Sequence, residues 1–383
     1  MKYKRIRNTH GFLQKSIDLK FLFNYSFYRV VGSSLFYQKG ACKMYHAHFR
    51  GTHYEAGFRW GSLLLKHKNI ILENIPFEIT QERISYALSC IPIYKKYYPE
   101  ILDEIQGLAD GQCCDIRILQ AVLFSMYSIP PACHCSCFAA VTENDILFGR
   151  NSDFLTDIEK MNQNVIYKLT DGAYSFTGNT TAFVEIEDGI NEHGLAIGLT
   201  SVYPFGRKAG FNAGILLRYF LEKCKTVSEV ISCAESLPIA SAQTFTLADS
   251  SGDIAVIECN SQRIEIIKSL STETSFVCAT NVFHLPEMMI YNNQEIDNWF
   301  AETRYHTLIF ALNDSNNIPT LSFAKKLLSG EYGFLCQYDR DTGKDTVWSV
   351  IYDLKHNRIY RSEGNPRRHT FKEDGRFRFA DNY

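Results

Sequence analysis

The sequence predicts an α+β fold built in layers, and three observations carry that reading. Helical patterning dominates before about residue 130, short strand-like runs dominate after it, and helices return in groups between and behind the strands. A doubly wound parallel sheet would instead alternate single strands with single helices. No internal repeat or low-complexity linker divides the chain.

The elements follow in order. Thr52 precedes a run to Ile75 in which Ala56, Phe58, Trp60, Leu63 and Leu64 recur at helical intervals. Glu55, three residues after Thr52, gives the spacing of a capping box. Two more helices flank the Tyr98-Pro99 break, with Gly111 expected to stop the second. A fourth runs from Asp115 to Ile129 and ends at Pro130-Pro131. After these prolines, two apolar runs around Thr142-Glu143-Asn144-Asp145 read as a hairpin. Further strands lie in 164–178, 181–202, 244–259 and 263–270, with Asp-Gly, His-Gly and Ser-Gly-Asp expected at the turns. Gly214 to Leu237 holds two amphipathic helices, Thr303–Leu312 and Ser322–Leu328 add more, and 346–364 closes with a hairpin.

A chain of 383 residues can bury a substantial core as one large domain or two modest ones. A net charge of −2 gives no support for nucleic acid or an acidic membrane as the main partner. The basic start MKYKRIRN lacks the apolar run of a signal peptide, and no window approaches the ~20 apolar residues of a membrane span. The expected place is the cytoplasm. Twelve dispersed cysteines then read as reduced thiols rather than a disulfide framework, with Cys90, Cys224, Cys233 and Cys278 as small core residues.

The stretch CHCSCF, Cys133 to Phe138, concentrates the chemistry. Zinc ligands usually come as closely spaced pairs that a turn folds onto one ion, and neither the adjacent Cys113-Cys114 nor an extended C-x-C-x-C row on a strand matches that. A non-catalytic protein, or a thiol-rich metal or redox module, is the rival reading. A nucleophilic cysteine needs a base, and His134, its neighbour on a strand, points to the opposite face. An alternative base is the cysteine's own α-amine, with a reference pKa near ~8. That amine exists only if the preceding peptide bond is cut.

At this point the residues resemble a known group. Cys135-Ser136, a strand, a turn and then Gly149-Arg150-Asn151-Ser152-Asp153 resemble the nucleophile hairpin of the penicillin acyltransferase family. The wider choloylglycine hydrolase superfamily of N-terminal nucleophile hydrolases shares it. GTHYEAGFRWG, EILDEIQGLADG, INEHGLAIGLTS, LADSSGDIAVIE, CATNVF and YRSEGNP are similar to further family segments, so the likeness runs from about residue 48 to 366. It implies a four-layer αββα sandwich, with residues 1–134 as a helical pro-region packed on a catalytic domain of residues 135–383. It also implies an amidase or acyltransferase, with no cofactor or metal, acting on a small-molecule acyl amide or thioester.

Carried over by position, Cys135 is the nucleophile, Arg150 lowers its pKa, and Asp153 holds the α-amine. Asn281 donates to the oxyanion, a second donor comes from near Thr200-Ser201, and Arg304 stands near the thiol. Cys133 and Cys137 are structural. His134 departs from the small or acidic residue that often precedes the cysteine in processed relatives. The aromatic segments SVYPF and NWFAETRY are read either as walls of an acyl pocket or as core.

Overall fold

The computed structural model describes residues 44–75, 77–129, 134–204, 206, 208–269, 275–293 and 295–380. The basic N-terminal segment, Cys133 and the Pro130-Pro131 break therefore lie outside the described residues.

The first described element, strand β1 (Tyr45–Gly51), is one that the helical patterning around it concealed. Helix α1 (His53–Lys66) follows, capped by Thr52 and Glu55 in the reciprocal box that their spacing predicts. Helices α2 (Gln81–Tyr97) and α3 (Pro99–Gln112) part at Tyr98, and α4 (Ile116–Ser125) opens on the Asp115 side chain. Gly111 does not stop α3; Cys113 does, in the left-handed conformation with φ 55°. The glycine has another task. A Cβ on Gly57 or Gly61 of α1 would fall 2.0 or 2.4 Å from the carbonyls of Glu104 or Leu108. One on Gly107 or Gly111 of α3 would fall as close to Tyr54 or Phe58. The two helices touch backbone to backbone, and only glycine permits it.

Strands β2 (His134–Val141) and β3 (Ile146–Leu155) form the expected hairpin. Strands β4 (Gln163–Leu169), β5 (Phe176–Thr180), β6 (Asp188–Asn191) and β7 (Ala196–Val202) meander. Asp171-Gly172 turns as predicted, but Asp188-Gly189 does not: it opens β6, and the turn falls at Glu192–Gly194. Helices α5 (Ala213–Lys223) and α6 (Val227–Ser236) precede β8 (Ala242–Ala248), β9 (Ile254–Cys259), β10 (Ile264–Lys268) and β11 (Ser275–Ala279). The chain continues through α7 (Pro286–Met289), α8 (Ala301–Asn313), α9 (Leu321–Leu328), β12 (Lys344–Asp353), β13 (Arg358–Ser362) and β14 (Lys372–Glu373).

These strands make two sheets. The first runs β1-β4-β5-β6-β7-β8-β9-β10 and the second β11-β2-β3-β12-β13-β14. Three apolar clusters fix the layer order. One joins α1–α6 to the outer face of the first sheet, through residues such as Tyr94, Leu108, Leu217, Val165 and Phe245. A second lies between the sheets, where Phe148 and Val350 meet Ile190 and Val256. A third seats Leu308 and Leu327 of α8 and α9 on Phe138 and Ile351 of the second sheet. The order is helices, sheet, sheet, helices: the αββα sandwich is observed.

A buried ionic network ties the first helical layer to its sheet. Arg218 of α5 reaches Glu104 of α3 at 2.5 Å and Glu222 at 2.8 Å. Glu222 also takes His53 Nε2 at 3.0 Å and Tyr98 at 2.6 Å, and Tyr167 of β4 donates to Glu104. Burial alone would lower the His53 pKa, but the Glu222 hydrogen bond and charge outweigh it and raise it to about 9. His53 therefore contributes stability that is complete below its unfolded pKa near ~6.5 and is lost as pH rises through about 9. We expect the unfolding free energy of the wild type to drop by about 3 kcal/mol relative to His53→Gln between pH 6.5 and 9.5, read by urea titration. A constant difference would assign the network no such role.

Candidate active site

The β2–β3 register sets the site. His134 pairs with Asp153, Cys135 with Ser152, Ser136 with Asn151 and Cys137 with Arg150. Alternate residues share a face, so Cys135, Cys137, Arg150 and Ser152 look between the sheets. His134, Ser136, Asn151 and Asp153 look toward α8 and α9, where Arg304 meets Ser136 and the Leu328 carbonyl accepts from Asn151.

On the inner face, Arg150 Nη2 lies 2.7 Å from Cys135 Sγ. The guanidinium is fully buried; Nη1 reaches Asp188 at 2.8 Å, Nη2 lies 3.5 Å from Glu187, and Nε donates to the Leu199 carbonyl. Asp188 also takes Trp348 Nε1 at 2.9 Å, the Tyr352 hydroxyl at 2.8 Å and Asn179 at 2.5 Å. One carboxylate of the first sheet thus gathers Arg150, Trp348 and Tyr352 of the second. Burial pushes the Cys135 thiol up to about 12, with Arg150 pulling the other way. In the continuous chain the sulfur is a thiol, not a thiolate. Cys137 lies fully buried in the cluster between the sheets, and burial raises its pKa as well.

On the outer face, Arg304, at the start of α8, grips the backbone of the cysteine. Its Nη1 donates to the Cys135 carbonyl at 2.5 Å and to Ser136 Oγ at 2.9 Å, and its Nη2 donates to Asn281 Oδ1 at 2.9 Å. Asn281, just past the end of β11, accepts the Cys135 N–H on the same oxygen at 2.8 Å and gives its amide nitrogen to the Ser201 carbonyl at 2.8 Å. Two donors on one side and an acceptor on the other fix which way this amide points. The Thr200 hydroxyl is engaged with the Thr280 carbonyl and Thr244. Asp153 accepts from Thr346 at 2.6 Å and Tyr338 at 3.0 Å, with Arg304 at 3.7 Å. Its burial raises the carboxyl to about 6 against the pull of Arg304 and these hydrogen bonds.

The five residues picked out by sequence, Cys135, Arg150, Asp153, Asn281 and Arg304, stand together around one peptide unit. Sequence reasoning missed Glu187 and Asp188, although a Glu-Ile-Glu-Asp run inside an apolar stretch was a signal. It also missed Tyr338 and Thr346, which nothing local marks, whereas Trp299 lies in the aromatic segment NWFAETRY that the sequence offers as pocket wall or core. Trp299 stacks on His134 with centroids 4.3 Å apart and planes at 16°. Burial and Arg304 push His134 down to about 3, and its Nδ1 finds no hydrogen-bond partner among the described residues. Trp299 and Phe300 are both left-handed, at φ 52° and 61°, a conformation that costs bulky residues about 1–3 kcal/mol each. Strain collects on the loop that holds the residue before the cysteine. His134, Ser201, Asn281, Asn292 and Asn298 line a small open pocket there.

Residues 141–368, more than half of the chain, match the acyl-coenzyme A:6-aminopenicillanic acid acyl-transferase family. The chain belongs to that family. Its members are acyl-transfer enzymes, and the match takes in Arg150, Asp153, Asn281 and Arg304 but begins after Cys135. Among solved structures, penicillin V acylase from Agrobacterium tumefaciens is 18% identical, with a TM-score of 0.41 over 60% of this chain and 83% of its own. A Caenorhabditis elegans orthologue of N-acylethanolamine-hydrolyzing acid amidase is 15% identical, at 0.43 over 58% and 93%. A mutant of conjugated bile acid hydrolase from Clostridium perfringens is 13% identical, at 0.41 over 64% and 98%. Likenesses this distant carry no residue across. Among curated proteins, none matches the sequence. No helix among the described residues is long and apolar enough to cross a membrane.

Replacing Arg150 by Gln would leave Asp188 and Glu187 buried without their cation. Breaking a buried pair of this kind costs about 3–5 kcal/mol, and we expect a loss of that size in the urea unfolding of Arg150→Gln. A loss under about 1 kcal/mol would mean that the carboxylates are held by their other donors alone.

Proposed function

We propose that the protein is an amidase or acyltransferase with an N-terminal cysteine nucleophile, matured by cleavage of its own His134–Cys135 bond. The observation that carries the reading is the buried Arg150 guanidinium 2.7 Å from the Cys135 sulfur. A cation with no exit to water, placed on a thiol, favours the thiolate whenever a base removes the proton. His134 stands on the other face of the strand and is held neutral, so it does not supply that base.

Maturation comes first. The Cys135 thiol attacks the carbonyl carbon of His134, and the acyl group passes from nitrogen to sulfur as the C–N bond breaks. Water hydrolyses the resulting thioester, leaving a carboxylate on His134 and a free amine on Cys135. The strain at Trp299 and Phe300, on the loop packed against His134, favours this step by raising the energy of the uncut state.

In the mature site the α-amine takes the thiol proton, and Asp153 and Asn281 Oδ1 hold the ammonium. The thiolate beside Arg150 attacks an amide or thioester carbonyl of a small substrate. The oxyanion draws on the Asn281 amide and a backbone N–H, the amine or thiol leaves, and an acyl-enzyme forms. Water or an amine then takes the acyl group. No step calls for a cofactor.

Intact mass under denaturing conditions tests maturation. Wild type, Cys133→Ala and Cys137→Ala should each give two pieces joined at Cys135, whereas Cys135→Ala should give one full-length species without turnover. A wild type that stays whole and still cleaves amides would sink the α-amine mechanism. Asn281→Ala should fold and yet lose about 10²-fold in kcat per matured molecule, equivalent to ~3 kcal/mol. Unchanged turnover there would remove Asn281 from the site.

A further inference from the structure

We propose that Cys224 and Cys233 form a redox-active dithiol that reduces small-molecule disulfides and is itself oxidised to a Cys224–Cys233 disulfide. The site is separate from Cys135 and independent of any reading of that residue. Both cysteines belong to the helical layer on the outer face of the first sheet.

The pair forms where two helices meet. Cys224 closes α5, its N–H bonded to the Phe220 carbonyl and its backbone already extended, and Cys233 lies on α6. The Cys224 thiol donates to the Cys233 sulfur at 3.6 Å. A disulfide bond is about 2.0 Å long, so the sulfurs need to close by about 1.6 Å, which a side-chain rotation supplies. The two differ in what surrounds them. Cys224 is buried, as the sequence suggests, whereas Cys233 is only half-buried. Cys233 opens on a shallow depression of about 360 Å³, lined also by Lys223, Ser228, Glu229 and Ser232. An accessible sulfur in contact with a hidden one is the arrangement of an attacking and a resolving thiol.

The electrostatics assign the same roles. The hydrogen bond from Cys224 pulls the Cys233 pKa down to about 7, against partial burial and the Glu229 charge. The same hydrogen bond pushes Cys224 up, so it keeps its proton until called on. Tyr219 of α5 also faces the pair, and burial and the two sulfurs raise its pKa, leaving a neutral phenol. The Lys223 ammonium is turned to Glu100 at 2.7 Å. A thiol that titrates near the ambient pH is the best attacking group in disulfide exchange. The Cys233 thiolate attacks one sulfur of a disulfide RSSR, whose S–S bond breaks and releases RS⁻, leaving a mixed disulfide on Cys233. Cys224 gives its proton to that RS⁻ and, as thiolate, attacks the Cys233 sulfur, expelling the second RS⁻. Two cysteine thiols are oxidised, and one RSSR is reduced to two thiols.

Glutathione disulfide near neutral pH, followed by denaturing alkylation and peptide mapping, tests the site in the full chain. Wild type should lose both thiols together and yield linked Cys224 and Cys233 peptides, and dithiothreitol should restore both. Cys224→Ser, which keeps a donor but has no second sulfur, should stop at a glutathione adduct on Cys233. Cys233→Ser should leave Cys224 unmodified. In the folded protein, alkylation of Cys233 by iodoacetamide should rise with pH about a midpoint near 7 in wild type. That midpoint should move up by about one unit or more in Cys224→Ala. A wild type that retains both thiols, or holds a lasting adduct on Cys233, overturns the proposal. So does a midpoint that Cys224→Ala leaves unmoved, or a Cys224 that reacts as fast in Cys233→Ser as in wild type. The wild-type mapping decides on its own if a variant does not fold.

Discussion

Everything in this site follows from the pairing register of one hairpin. With Cys135 opposite Ser152 and Cys137 opposite Arg150, the sulfur and the guanidinium share the inner face, a diagonal apart. A slip of one residue would turn the sulfur toward α8 and leave Arg150 facing its carboxylates without it. The same register hands the outer face to Arg304, which holds the cysteine by its carbonyl while Asn281 holds it by its nitrogen. The side chain is tuned from one layer and the backbone is clamped from the other.

The electrostatics are arranged as a reserve. A fully buried guanidinium is costly unless it is paired, and Asp188 and Glu187 supply the pairing. Because Asp188 also collects donors from β12 and β5, the charge balance of the sulfur's neighbour is built into the junction of the two sheets. Burial still outweighs Arg150 at the sulfur, and the thiol stays protonated in the uncut chain. Asp153 is treated differently: hydroxyls of Tyr338 and Thr346 and the nearby Arg304 leave it close to neutral-range titration despite full burial.

Much of this was legible in the sequence because it is local. The hairpin, the capping box at Thr52 and the helix pairs are written in short-range periodicity and turn chemistry, and Arg150 and Asp153 lie within twenty residues of Cys135. Asn281 and Arg304 came only through the resemblance. What stayed hidden depends on partners far along the chain. Strand β1 pairs in parallel with β4 across more than a hundred residues, and its short alternation is overshadowed by the helix behind it. Gly111 looks like a stop signal, yet its role is set by the backbone of α1. Trp299 is one aromatic among many until its ring is found lying on His134.

Strand β1 has one more consequence. It belongs to the part of the chain before Cys135, yet it forms the edge of a sheet whose other strands all come after it. Helices α1–α4 share a core with α5 and α6 from the far side of the same point. A break between residues 134 and 135 would therefore alter covalent connectivity and leave the architecture standing: two polypeptides, neither owning a complete core, interlocked as one non-covalent heterodimer whose halves part only when the fold itself is lost.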